Sequence, residues 1–193
     1  MIRYILLYII YLIRKIKDLG KVQYHGFTVC FAFKNCEVSI GKGTDISSAP
    51  MSNLLGLYQK TIIVARYGGK ISIGERCGIS GSTIYSTSKI NIGNYTRVGA
   101  NCKIIDNDFH PMELDYRRKA LNKEYARRKP INIGNDCFIG MNSIILKGTT
   151  LGNNVIVGAG SVVIGVFPDN VVIAGNPAKI VKYLNEIDHQ IPE

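Results

Sequence analysis

Ile133-Gly134-Asn135-Asp136-Cys137-Phe138-Ile139-Gly140 opens the stretch whose reading decides the fold. From Ile133 onward an aliphatic residue returns every six positions, at Ile139, Ile145, Leu151, Val157 and Val163. Glycine follows it at Gly134, Gly140, Gly152 and Gly158. Four places after each aliphatic the residue is mostly small: Cys137, Ser143, Thr149, Val155 and Ser161, with Phe167 the exception. An α-helix would place apolar residues three and four apart, and a half-buried strand would alternate with period two. Neither fits. A six-residue repeat implies that each hexad is one short strand plus a turn, and that three hexads close a triangular circuit of 18 residues. The aliphatic residue then points inward and stacks on its counterpart one coil away. The small residue fits the narrow corner, and glycine relieves the adjoining backbone.

Toward the amino end the same signature recurs less regularly. Four coil starts align: Glu37 to Gly41, Lys70 to Gly74, Lys89 to Gly93 and Pro130 to Gly134. Their spacings locate the insertions. Ile73 to Ile92 is 19 residues, one more than a coil, and Ile40 to Ile73 is 33, which leaves about 15 extra residues near Ala49 to Tyr58. Ile92 to Ile133 is 41, so 23 residues beyond one coil form a loop over 107–129. Long loops on a compact scaffold tend to carry function. The expected organisation is an amphipathic helix over 1–20, the coil over 21–175 with its inserted loop, and a terminal helix and tail over 176–193.

The chain has 193 residues, 46% of them hydrophobic and 20% charged, which excludes a disordered chain and suits one domain. The net charge is +10, with 24 Lys and Arg against 14 Asp and Glu. Such a surface attracts phosphate on small ligands, anionic membrane or nucleic acid. No zinc-type Cys/His pairs, RNP aromatic box or tryptophan accompany the charge, so nucleic acid is not an expected partner. The five cysteines are odd in number and unpaired in spacing, pointing to reduced thiols in a cytoplasmic compartment. Cys77, Cys102 and Cys137 all occupy the small slot of a hexad and read as buried packing residues, with no metal site implied.

The apolar run from Tyr4 to Ile13, followed by Arg14-Lys15-Ile16-Lys17, is too short to cross a bilayer, which takes about 20 residues. No small-residue cleavage site follows it. Two uses fit residues 1–17: a helix packed on the prism or a neighbouring subunit, or an anchor lying in the inner face of the membrane.

From residue 60 to about 185 the chain resembles the hexapeptide-repeat sugar O-acetyltransferases of the maltose, galactoside and surface-polysaccharide type. The likeness rests on the hexads from Ile133, on Gly158-Ala159-Gly160-Ser161-Val162-Val163, on Phe167-Pro168-Asp169-Asn170 and on Ala174-Gly175-Asn176-Pro177-Ala178-Lys179. It implies a left-handed parallel β-helix, a homotrimer, acetyl-CoA as acyl donor, and a sugar hydroxyl as acceptor in surface-polysaccharide biosynthesis. In that family a loop His-Pro supplies the base, and Asp106-Asn107-Asp108-Phe109-His110-Pro111 is the matching stretch. The chemistry agrees, because acetyl transfer to a hydroxyl needs a base that titrates near neutrality. Of three histidines, His25 and His189 lie outside the loop.

For the acceptor, Asp106, Asp108 and Ser82 are candidates, although the asparagine that the galactoside type uses near Ser80-Gly81-Ser82 is absent. For acetyl-CoA the resemblance implies Met141, Ala159 and Gly160 along a groove between β-helices, with Lys179 and Lys182 on its phosphates. A Thr-Lys pair common in the family is replaced here by Ile164-Gly165. An N-acetyltransferase of a nucleotide-linked amino sugar would use similar coils. A non-catalytic trimeric scaffold would keep the hexads without the His-Pro loop. A trimeric β-helix carbonic anhydrase needs three converging histidines, and these are too scattered.

Overall fold

The computed structural model describes residues 21–184 together with the backbone of Ile16–Asp18. The chain winds as a left-handed parallel β-helix of triangular section. Among the described residues its three faces hold seven, eight and six strands. Within each face, neighbouring strands one coil apart pair in parallel, except the last strand of the second face, which pairs antiparallel. The first face confirms the alignment of coil starts: Glu37↔Lys70, Lys89↔Lys70 and Ile90↔Ile131 are direct register partners.

That register stacks the aliphatic positions into three columns. Ile40, Ile73, Ile92, Ile133 and Leu151 form one, with Ile46, Ile79, Val98, Ile139, Val157 and Ile173 on the second face. Ile63, Ile84, Ile104, Ile145 and Val163 form the third. All are buried in one continuous core. Each contributes about 1.5–3 kcal/mol, against about 0.5–1.5 kcal/mol for a hydrogen bond, so the columns dominate stability.

The corners obey a second rule. The residue before the small slot is left-handed, at Arg76, Tyr95, Asn101, Asp136, Asn142, Asn154 and Gly160 among others. The small residue then donates a hydrogen bond to the carbonyl of the glycine one coil on. Thr44 reaches Gly74 O at 3.0 Å, Thr96 reaches Gly134 O at 2.9 Å, and Ser143 reaches Gly158 O at 3.2 Å. Cys77, Cys102 and Cys137 do the same with their thiols toward Gly93, Gly140 and Gly152. The slot therefore favours a small donor, with Val155 filling it by volume alone. Between the first and second faces an Asx ladder satisfies the turn amides: Glu75 N–H donates to Asn94 Oδ1, Asn94 to Asn135, Asn135 to Asn153 and Asn153 to Asp169. The coils approach so closely there that a Cβ on Gly134 would strike the backbone of Gly152.

Burial pushes the Cys77, Cys102 and Cys137 thiols above their ordinary range, opposed only in part by the hydrogen bonds they receive. Thiol titration should accordingly leave the buried Cys36, Cys77, Cys102 and Cys137 unmodified in the native protein, with only the half-buried Cys30 open to slow reaction. Urea should expose all five; fast native modification of more than one would contradict this burial.

Both ends differ from expectation. Residues 1–15, where most of the amphipathic helix was expected, lie outside the described residues. Ile16–Asp18 within the expected helix is a strand, paired in parallel with Glu37–Ile40. At the other end a hairpin stands in the first part of the expected helix and tail, with Ala178–Tyr183 paired antiparallel to Val171–Gly175, and residues 185–193 of that expectation lie outside the described residues. Gly175, at φ 107°, and Asn176-Pro177 reverse the chain onto an open sheet edge. The edge supplies partners for backbone groups that a detached helix would have to satisfy alone. The loop over 107–129 carries helices α1 (Leu114–Arg118) and α2 (Asn122–Tyr125), joined by Tyr116 stacked on Tyr125.

Candidate active site

The loop leaves the corner between the third and first faces, after strand Lys103–Ile105, and its base is clamped. Asn107 and Arg128 form an antiparallel bridge, Lys129 N–H donates to Asp106 O at 3.0 Å, and Asp108 N–H to Arg127 O at 3.0 Å. Asp106 is fully buried and its carboxylate accepts from Ser86 Oγ at 2.6 Å, Thr87 N at 2.8 Å and Ser88 N at 2.9 Å. It anchors the loop to the coil below and has no face toward solvent, which corrects its reading as an acceptor ligand. Asp108 is held by Lys147 and does not line the recess described next.

Asn107 caps a tight turn by accepting Phe109 N–H at 2.9 Å, with Phe109 left-handed at φ 60°. The Phe109 ring lies 5.0 Å from that of Tyr85 on the neighbouring coil. This turn presents His110 at the mouth of a recess of about 210 Å³ lined also by Arg66, Tyr85, Asn122 and Arg128. His110 Nδ1 is 3.0 Å from Asn122 Oδ1. An amide oxygen only accepts, so in the neutral ring this contact suits the tautomer with the proton on Nδ1 and the lone pair on Nε2. That is the tautomer a general base requires. Asn122 was not among the sequence candidates, since it meets His110 only through the fold of α2.

Ser82 is also corrected. It is fully buried, with Oγ donating to Ser80 O at 2.8 Å and Gly99 O at 2.9 Å, and it occupies the small inward slot of its hexad.

Met141 and Ala159 lie elsewhere, at the corner between the second and third faces. They line an elongated groove of about 520 Å³ that runs along the second face past Gly99, Gly140 and Gly158. Gly160 is at the same corner, and a Cβ there would meet nothing within 4 Å. Lys179 and Lys182 are exposed on the hairpin strand that extends the second face beyond Ile156–Val157. The groove is lined mostly by small residues and apolar side chains, and cations lie past its carboxyl-terminal end. That fits a pantetheine arm leading to phosphates. Within one chain, then, the histidine loop and the groove sit at different corners of the prism.

Residues 130–164 match the family model described as the hexapeptide repeat of succinyl-transferase. The chain is similar to the galactoside O-acetyltransferase of Escherichia coli, 32% identical over 123 residues that cover 63% of this chain and 58% of that protein. In fold it is similar to a maltose O-acetyltransferase from Clostridium difficile, with TM-score 0.59 and 22% identity over 90% of this chain and 72% of the other. It is also similar to a galactoside acetyltransferase in complex with coenzyme A, with TM-score 0.54 and 21% identity over 91% and 68%. The matched stretch spans 58–60% of the length of the first three sequence relatives.

Proposed function

We propose, from the chain's place among the hexapeptide-repeat β-helix proteins, that it is an acetyl-CoA-dependent O-acetyltransferase acting on a sugar hydroxyl in surface-polysaccharide biosynthesis. The observation that carries the reading is His110, held by Asn122 at the mouth of a polar recess. Acetyl-CoA supplies an activated thioester. His110 Nε2 accepts the hydroxyl proton as the sugar oxygen bonds to the carbonyl carbon. The C–S bond then breaks, and the imidazolium returns that proton to the departing sulfur, so the base is regenerated. Met141, Ala159 and the backbone of the second corner would line the donor arm, with Lys179 and Lys182 toward its phosphates. Thiol release from acetyl-CoA across a panel of glycosides, polysaccharide precursors and amino sugars tests this reading. Activity confined to amines would turn it toward N-acetylation, and none at all toward a scaffold.

The two-corner arrangement leads us to a homotrimer, with three sites where one protomer's loop meets the next one's groove. A lone chain leaves Val166 77%, Leu54 84% and Phe138 49% exposed, apolar area that packing against copies would cover. Light scattering should give three times the 21.3 kDa chain mass, with activity lost on dilution to monomer. A fully active monomer overturns it.

Among the described residues no helix is long and apolar enough to cross a membrane. We place the enzyme in the cytoplasm at the inner membrane face, anchored by the amino-terminal segment. Ile16–Asp18 belongs to the first sheet, so the informative truncation ends at residue 15. Flotation with anionic vesicles should capture the full chain and lose the truncated trimer. A chain that ignores such vesicles refutes the anchor.

A further inference from the structure

We infer that the acceptor presented to His110 carries a phosphate or diphosphate ester, bound in a basic recess beside the histidine; this rests on His110 serving the acceptor as proposed above. The recess at His110 continues into a second one of about 730 Å³ that reaches Phe33 and Lys34, and Arg66, Tyr67, Lys123 and Arg128 line both. Four cations, Lys34, Arg66, Lys123 and Arg128, therefore face one volume in which Glu124 is the one acid among the lining residues. Among the described residues none of the four is ion-paired, although Lys42, Arg127 and Lys147 each have a carboxylate. Four like charges gathered with one acid repel, and the concentration of positive potential in a concave wall favours a multiply charged anion over a neutral sugar.

The cations are also organised. The Arg66 guanidinium carbon lies 4.9 Å from the ring centroids of both Phe33 and Tyr67, and Lys123 Nζ lies 6.0 Å from that of Tyr67. Aromatic contacts on both sides restrict a guanidinium without consuming its N–H donors, a preparation suited to forked phosphate contacts. Arg66 N–H bonds Ser86 O and Ser86 Oγ bonds Asp106, so the stacked arginine is tied through two rigid contacts to the base of the histidine loop.

Phosphates of the donor do not account for this site. Lys34 and Arg66 stand on coils that precede His110, whereas Lys179 and Lys182 follow the last coil. Donor and acceptor anions would thus enter from opposite ends, with the reacting groups meeting between them. The arrangement assigns the sugar hydroxyl to the His110 end of the recess and the ester to the Lys34–Arg66 end. The class of reaction that must supply such an acceptor is glycosyl-phosphate formation, before any polymer is released from its carrier.

The test uses the full chain saturated with coenzyme A, so that the donor site is filled, and inorganic pyrophosphate as the probe in titration calorimetry. Pyrophosphate should bind, and the double variant K34A/R66A should weaken it by roughly tenfold or more, while K179A/K182A leaves it unchanged. No binding to the wild-type complex, or binding indifferent to Lys34 and Arg66, overturns the proposal. Should coenzyme A itself fail to bind, the donor reading falls, and the same titration on the unliganded chain still decides the recess. Turnover of one sugar as free glycoside, 1-phosphate, nucleotide diphosphate ester and polyprenyl diphosphate ester then identifies the source. Equal kcat/KM for the free glycoside and every ester would also sink the inference.

Discussion

His110→Ala should lower turnover by on the order of 10²–10⁴, the usual worth of a general base, while leaving thermal unfolding unchanged. The ring is exposed and its side chain is held by Asn122, so little packing is lost. Asn122→Ala is the informative companion. It removes the acceptor that fixes the tautomer and ring angle, but leaves the base in place, so a smaller loss of about tenfold is expected. The affected quantity should be kcat, since Asn122 acts on the imidazole as a positioning residue. A His110→Ala protein with near wild-type turnover removes this residue from the chemistry. Equal losses in both variants would instead indicate that the loop, and not the base, is what the substitutions disturb.

Asp106→Ala should be the most destabilising single change in the loop region. Removing the carboxylate leaves the amides of Thr87 and Ser88 without their acceptor, while Ser86 Oγ keeps Lys70 O at 3.2 Å. Each unsatisfied buried group costs about 1–3 kcal/mol, so a loss of roughly 2 kcal/mol or more is expected from a total of about 5–15 kcal/mol. Because Asp106 O also receives Lys129 N–H, hydrogen exchange over 107–129 should accelerate more than in the carboxyl-terminal coils. Asp106→Asn, which keeps one acceptor oxygen, should lose less. Uniform exchange throughout the chain would show that Asp106 is not a local anchor.

The fold was legible because its repeat is one-dimensional. Ile133 to Val163 carries the pattern without interruption, and the register of earlier coils follows by alignment of Glu37, Lys70, Lys89 and Pro130. Loop bounds followed from the same arithmetic, and the Asn107–Arg128 bridge closes the loop where the surplus residues begin and end. Ser82 shows the rule neglected: the repeat itself puts that residue in the inward slot with Cys102 and Ser143, so its burial could have been read. Tyr85 was also within reach, because the pairing of Ile84 with Ile104 sets it beside Ile105 at the root of the loop.

Asn122 was not legible. Twelve residues separate it from His110, and the turn of α2 that unites them depends on Tyr116 and Tyr125 stacking within the loop. The terminal hairpin escaped for a different reason. Ala178 to Tyr183 has no alternation strong enough to mark a strand, and its pairing comes from the open edge it covers.

That returning strand has a consequence for assembly. A stack of parallel coils ends in backbone donors and acceptors that would accept another coil, from the same chain or from a stranger, and nothing in the repeat itself stops growth. Ala178–Tyr183 runs the other way across the second face and sets Lys179 and Lys182 outward at that end. A further parallel rung arriving there would meet a strand of opposite direction and two positive charges. On the second face the hairpin thus opposes a further parallel rung and the end-to-end fibres it would start. Deleting it should convert a discrete particle into one that elongates.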